Sequence, residues 1–223
     1  MEKVMEILRQ MSGWVDPLVK SSGITLSLSV LSVIIGILGG TFIALGRISK
    51  NKLINKVCGG YIFLFRGTPL LMQLFFIYYA LPLAIPAMTL NNRFVAALIA
   101  FSVNSAAYQA EIIRAAIQSI DHGQAEAARS LGLTPNQTMF LVIIPQAIKR
   151  MIPPIGNEFI MVLKDTSLVS TIALVDLMKR TSQIQSSQAT ALVYLPSAVI
   201  YLIFTGVFTW LFNRLEHHHA RYE

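Results

Sequence analysis

Glu158 stands inside the apolar run IGNEFIMVL (155–163), where a carboxylate needs a chemical reason. In hydrocarbon it must pair, take up a proton or face water. Pro153, Pro154 and Gly156 come just before it and are expected to interrupt the helix that carries it, as broken helices do where freed backbone lines a cavity. A proline kink is the plainer alternative. A carboxylate so placed can hold an ammonium group by a charge-assisted hydrogen bond. Asn157 and Asn104 can add amide contacts, Asp165 supplies a second carboxylate, and Thr166 and Ser167 can line the outer mouth of such a path. Arg66, beside Gly67-Thr68-Pro69, is another charge in an apolar setting, and Pro69 is expected to kink the second span. Arg66 either joins this binding set, pairs structurally or snorkels to a membrane surface. A rival account makes Glu158 the partner of Arg66 or Lys164 in a structural ion pair.

Nothing in the pattern supports covalent catalysis. The chain lacks H-E-x-x-H, G-x-S-x-G and spaced metal ligands, and His217-His218-His219 reads as a solvated tail. No catalytic residue, metal or cofactor is expected. Cys58, the single cysteine, can form no internal disulfide.

The elements that must position these residues are membrane helices. Of 223 residues, 54% are hydrophobic and 13% charged, about half the charge of a soluble domain. Ser21–Gly46, Gly67–Asn92 and Thr181–Asn213 carry no charge at all, and a span needs about 20 apolar residues. The expected fold is an all-α membrane protein forming one domain (1–223). Its five spans are expected near 24–45, 57–79, 94–113, 139–163 and 192–212. Met1, Val4, Met5, Leu8, Met11 and Val15 fall at helical spacing, so residues 1–20 are expected to form an amphipathic segment on the membrane surface. The net charge of +7 does not indicate nucleic acid, because the basic residues flank the spans, where anionic lipid attracts them. Arg47, Lys50, Lys52 and Lys56 crowd the first loop, while 80–92 has no Lys or Arg. The positive-inside rule then puts the N-terminus outside and the C-terminus in the cytoplasm, although Lys164, Lys179 and Arg180 fall on the outer side.

Residues 121–145 form an unusual interruption between two apolar spans. Asp121 with Gln124 three residues on fits a helix N-cap, and AEAARSL propagates well as helix. Gly132 suits the left-handed residue that ends it. Thr134, Pro135 and Gln137 spell a second start with a capping box. The loop reads as two short helices meeting at a glycine. Ala125, Ala127 and Ala128 offer a small face for close approach, flanked by Glu126 and Arg129. An ordinary amphipathic loop helix fits the same residues.

The run EAARSLG (126–132) followed by IIP (143–145) resembles the EAA motif of permease subunits of ATP-binding cassette importers. RGTPLLMQLFF (66–76), AYQAEIIRAAIQSI (107–120) and PQAIKRMIPPIGNEFIMVLKDTSLVSTI (145–172) resemble the branch that imports polar amino acids, so the likeness spans about 21–216. Asp121-His122 departs from the proline and basic residue usual there, and Ala115 from glycine. The resemblance implies a cytoplasmic coupling helix whose Glu126, Ala127, Ala128 and Gly132 engage a separate ATPase, since this chain has no phosphate loop. It further implies a second permease chain, identical or a sister subunit, an extracytoplasmic amino-acid-binding protein and a prokaryotic inner-membrane location. The expected cargo has a basic or amide side chain. An ion-gradient-driven secondary transporter, with Glu111, Glu158 and Asp165 as ion sites, is the alternative from another class.

Overall fold

A computed structural model describes the backbone of residues 2–220 and the side chains of 5–7 and 9–217. Met1, Val4 and Leu8 of the expected N-terminal stripe, and His218, His219 and Arg221 of the tail, lie outside the described residues. The described residues form helices: α1 (Glu2–Arg47), α2 (Lys52–Gly67), α3 (Leu70–Phe75), α4 (Leu81–Ala84), α5 (Arg93–Gln118), α6 (His122–Ser130), α7 (Pro135–Thr138), α8 (Ile144–Asp165), α9 (Leu177–Gln188) and α10 (Tyr194–Ala220). Wider π turns join α3 to α4 (Phe76–Ala80) and α7 to α8 (Met139–Ile143), and a 3₁₀ stretch, Thr166–Ile172, follows α8. Four helical stretches are long and apolar enough to cross a membrane, and α2 with α3–α4 makes a fifth if that bent pair is one span.

Three expectations change. The second span is not one helix, because its axis turns by 102° after Gly67. Proline biases the residue before it to extended backbone, and Thr68 sits at φ −118, ψ 146. Its hydroxyl donates to the Leu64 carbonyl at 2.8 Å, covering a group the helix end leaves open. The fourth span is not broken at Pro153-Pro154, since α8 runs through both prolines. Gly156 is there for close packing: a Cβ would lie 2.8 Å from Cγ of Phe212 on α10. Nor is residues 1–20 a separate surface helix. Pro17 lies inside the continuous α1, and Trp14 and Leu18 are buried.

The chain forms two compact units. The first comprises Met1–Val33, Pro69–Ser102 and Phe159–Val207. Its core packs Trp14 and Leu18 of α1 against Leu177, Val193 and Ile200. The Trp14 indole N–H donates to Gln188 Oε1 at 2.8 Å, and Arg180 Nε donates to Ser21 Oγ at 3.1 Å. Those contacts hold the N-terminal turns against protein. Asp176 caps α9, accepting from the backbone N–H of Met178 and Lys179, and is fully buried.

The second unit comprises Ile34–Thr68, Val103–Glu158 and Phe208–Glu223. Small residues set its spacing. Gly36 and Gly40 of α1 face α5 so closely that a Cβ on Gly40 would lie 2.7 Å from Gln109 Cβ and 2.9 Å from the Ala106 carbonyl oxygen. Membrane helices lack a hydrophobic drive to associate, so such small-xxx-small contact is how they gain packing. Ala44, Ala110, Ala116 and Ala147 continue this core with Ile62, Ile113 and Ile120.

Two outcomes follow from this packing. Gly40→Ala is expected to lower Tm in detergent, at an overpacking cost of about 1–3 kcal/mol. Gly39→Ala, whose methyl would meet Ala106 Cβ at an ordinary 3.4 Å, should leave Tm unchanged. Burial raises the Asp176 carboxyl from its usual 3.8 to about 6, although its backbone N–H partners favour the ionised form. The folded chain then keeps a proton that the unfolded chain has released, so stability falls as pH rises from about 4 to about 6. Asp176→Asn keeps a cap acceptor that cannot ionise, and its Tm should vary less than wild type across that window.

Candidate functional site

The loop at 121–138 is built largely as its sequence spells. Asp121 caps α6, accepting from the Gly123 N–H at 2.6 Å. Gln124 departs from the expected box: its side chain meets Gln146 of α8 instead. Gly132 takes φ +85, the left-handed region. The Gly132 N–H donates to the Arg129 carbonyl and the Leu133 N–H to the Ala128 carbonyl, the paired bonds that close a helix end. Thr134 and Gln137 then form the full capping box that starts α7. The N–H groups of Leu131, Gly132, Leu133, Thr134 and Gln137 all find acceptors, which sets the angle between α6 and α7.

Its alanines divide between two faces. Ala128 is buried in the chain's own packing and Ala125 packs on the core of the second unit. Glu126 and Ala127 are exposed, and Leu131 at the helix tip is 84% exposed. Ala128 therefore anchors the helix, and Glu126, Ala127 and Leu131 form the outward surface.

The same unit holds a polar cavity of about 510 Å³, walled by Arg47, Gly59, Arg66, Tyr108, Glu111 and Arg114 among others. A second, of about 400 Å³, shares Arg66, Tyr108 and Glu111 and adds Ser119, Arg150 and Pro154. Glu111 and Arg114, one turn apart on α5, close a two-point ion pair. Arg114 also donates to Gln118, Arg47 to Asn55, and Arg150 to Ser119. The Arg66 guanidinium lies 5.2 Å from the centre of the Tyr108 ring, within cation–π range.

Of the expected binding residues, Arg66 is on the cavity wall. Asn104 is buried just behind it, donating to the Phe65 carbonyl at 3.0 Å. Glu158 is buried on α8, one turn past the wall residue Pro154, while Asn157 is exposed. Asp165, Thr166 and Ser167 belong to the first unit, where Thr166 is buried and bonded to the Leu163 carbonyl. Sequence reasoning missed Tyr108 and the cluster of Arg47, Arg114 and Arg150. The spacing of Tyr108, Glu111 and Arg114 along AYQAEIIR was the available signal, a polar stripe on an otherwise small-residue helix. No group of three or more His, Cys, Asp or Glu able to hold a metal occurs among the described residues.

Helices long and apolar enough to cross a membrane border a charged cavity and carry a capped angle between two short helices, an arrangement that suits a solute-transport component. The chain belongs to the family described as binding-protein-dependent transport system inner membrane component, whose profile matches residues 36–220. It is therefore a multi-pass inner-membrane transport component. It is 39% identical over 202 residues to the probable amino-acid permease protein YxeN of Bacillus subtilis, covering 89% of each chain. It is 40% identical to the L-cystine transport system permease protein TcyB of Bacillus subtilis, covering 89% of this chain and 84% of that one. The glutamine transport system permease protein GlnP of Escherichia coli is 38% identical, with 89% and 91% covered. A solved amino acid ABC transporter with histidines superposes with a TM-score of 0.87 at 43% identity, covering 94% of this chain and 97% of that one. The methionine transporter MetNI shares the fold, with a TM-score of 0.77 at 20% identity.

Gly132→Val would force a β-branched residue to φ +85, a region such residues strongly avoid. In the assembled transporter it should cut uptake per ATP hydrolysed several-fold while membrane insertion stays normal. Paired uptake and phosphate-release measurements check this.

Proposed function

We propose that the chain is the permease subunit of an ATP-driven importer of polar amino acids. The observation that carries this is the capped α6–Gly132–α7 angle, which presents Glu126, Ala127 and Leu131 outward while Ala128 ties it to the core. Such a part suits the transfer of motion from a separate protein. That protein is a cytoplasmic ATP-binding cassette ATPase, and this chain hydrolyses no ATP itself. The named activities of the amino-acid, cystine and glutamine permeases support the cargo class.

The full assembly pairs this chain with a second copy or a sister permease and receives cargo from an extracytoplasmic amino-acid-binding protein. Residues 1–223 act as one permease domain in lipid. The N-terminus lies outside and α6 in the cytoplasm, consistent with Arg47, Lys50, Lys52 and Lys56 crowding the first loop. Glu158, with Asn157, Asn104, Arg66, Asp165, Thr166 and Ser167, serves the substrate path.

Reconstitution in proteoliposomes with the ATPase and binding protein tests this reading. Uptake of labelled amino acids should require ATP and stop with vanadate, and should survive collapse of the ion gradients. Loss on gradient collapse alone, or ATP turnover by the isolated chain, would reverse the reading. Glu158→Gln should leave assembly and basal ATP hydrolysis near normal while raising the substrate concentration for half-maximal uptake several-fold. Unaltered uptake kinetics in a stable complex would remove Glu158 from the path.

A further inference from the structure

We propose that the cavity around Arg66 is a carboxylate subsite, and that the cargo is an amino acid of zero or negative net charge. This rests on the reading of the chain as an amino-acid permease. The walls of the larger cavity carry three arginines, Arg47, Arg66 and Arg114, against one acid, Glu111, a net charge of 3 − 1 = +2. The acid is already used, both of its oxygens being held by Arg114. Arg47 is tied to Asn55, and Arg150 of the adjoining cavity to Ser119. Of the four arginines, Arg66 alone makes no hydrogen bond among the described residues.

Arg66 is nevertheless held in place. Its guanidinium rests on the Tyr108 ring at 5.2 Å. The backbone beside it is fixed by the bond from Asn104 to the Phe65 carbonyl, near the middle of α5. A ring contact through the guanidinium face leaves the N–H groups at its edge available, and that edge matches the two oxygens of a carboxylate. A charge so far along an apolar helix is costly unless an anion or water reaches it. An amino acid supplies that anion in every case through its α-carboxylate. The cavity volume of about 510 Å³ is within the range of small-molecule sites.

The charge count then selects among side chains. A lysine- or arginine-like cargo would bring a second cation into walls that are already net positive, whereas an amide or carboxylate side chain would not. Of the basic and amide classes expected from the sequence, the cavity favours amide and extends the range to acidic cargo.

The test is binding to the assembled permease–ATPase complex in nanodiscs, by equilibrium dialysis without the binding protein. L-glutamine and L-glutamate should bind at least tenfold more tightly than L-arginine. L-glutaminol, which carries a hydroxymethyl group in place of the carboxylate, should bind at least tenfold more weakly than L-glutamine. Arg66→Gln should remove most of the glutamine-over-glutaminol preference, and Arg66→Lys should keep part of it. Equal binding of glutamine and arginine, of glutamine and glutaminol, or an unchanged preference in Arg66→Gln would overturn the proposal. If Arg66→Gln fails to assemble, the ligand comparison on wild type decides alone. ATP-driven uptake of any amino acid by the wild-type assembly with its binding protein keeps the two levels apart. Uptake with the wrong selectivity sinks only the subsite, and no uptake of any amino acid sinks the permease reading with it.

Discussion

Lipid offers no hydrogen bonds, so every peptide group released from a helix within the membrane must be covered by the chain itself or by a wet cavity. The breaks in this protein obey that constraint. Where Pro69 ends α2, the Thr68 hydroxyl takes up the Leu64 carbonyl. Asn104 does the same for the Phe65 carbonyl one residue before Arg66. At the end of α8 the backbone tightens to 3₁₀ rather than opening, and Thr166 bonds back to Leu163. The bend after Gly67 is also where the polar cavity begins, so the cost of breaking a helix and the placing of a charge share one solution.

Close packing meets the second demand of the same solvent. With no water to expel between helices, contact depends on how near two backbones can come. Gly36 and Gly40 on α1 and the alanines of α5 supply that nearness in the second unit. The first unit relies more on large and polar groups, namely Trp14 against Gln188, Arg180 against Ser21, and the Thr181–Ser197 hydroxyl pair at 2.6 Å. The first two join residues 174 and 159 positions apart and dock the N-terminal turns against protein.

What was legible in the sequence was local. Caps, the glycine at 132 and the capping box at Thr134 act within four residues, and the structure has all of them save the Gln124 half of the first cap. The long uncharged runs likewise marked the membrane helices. Of the two proline sites, only Pro69 ends a helix. Pro153-Pro154 does not break α8, which runs on through both prolines and packs closely on α10 at Gly156. Pro69 does far more than kink, because Thr68 and a new helix start at Leu70 support the turn. The arginine cavity was illegible for another reason. Its walls come from positions 47, 66, 114 and 150, and only tertiary packing brings such distant residues together.

Leu131 bears on the life of the chain before assembly. A leucine 84% exposed at the tip of α6 is apolar surface that a docked partner would remove from water. If α6 docks on an ATPase as proposed, burying Leu131 adds to the stability of the assembled chain, and a subunit made in excess of its partner lacks that gain.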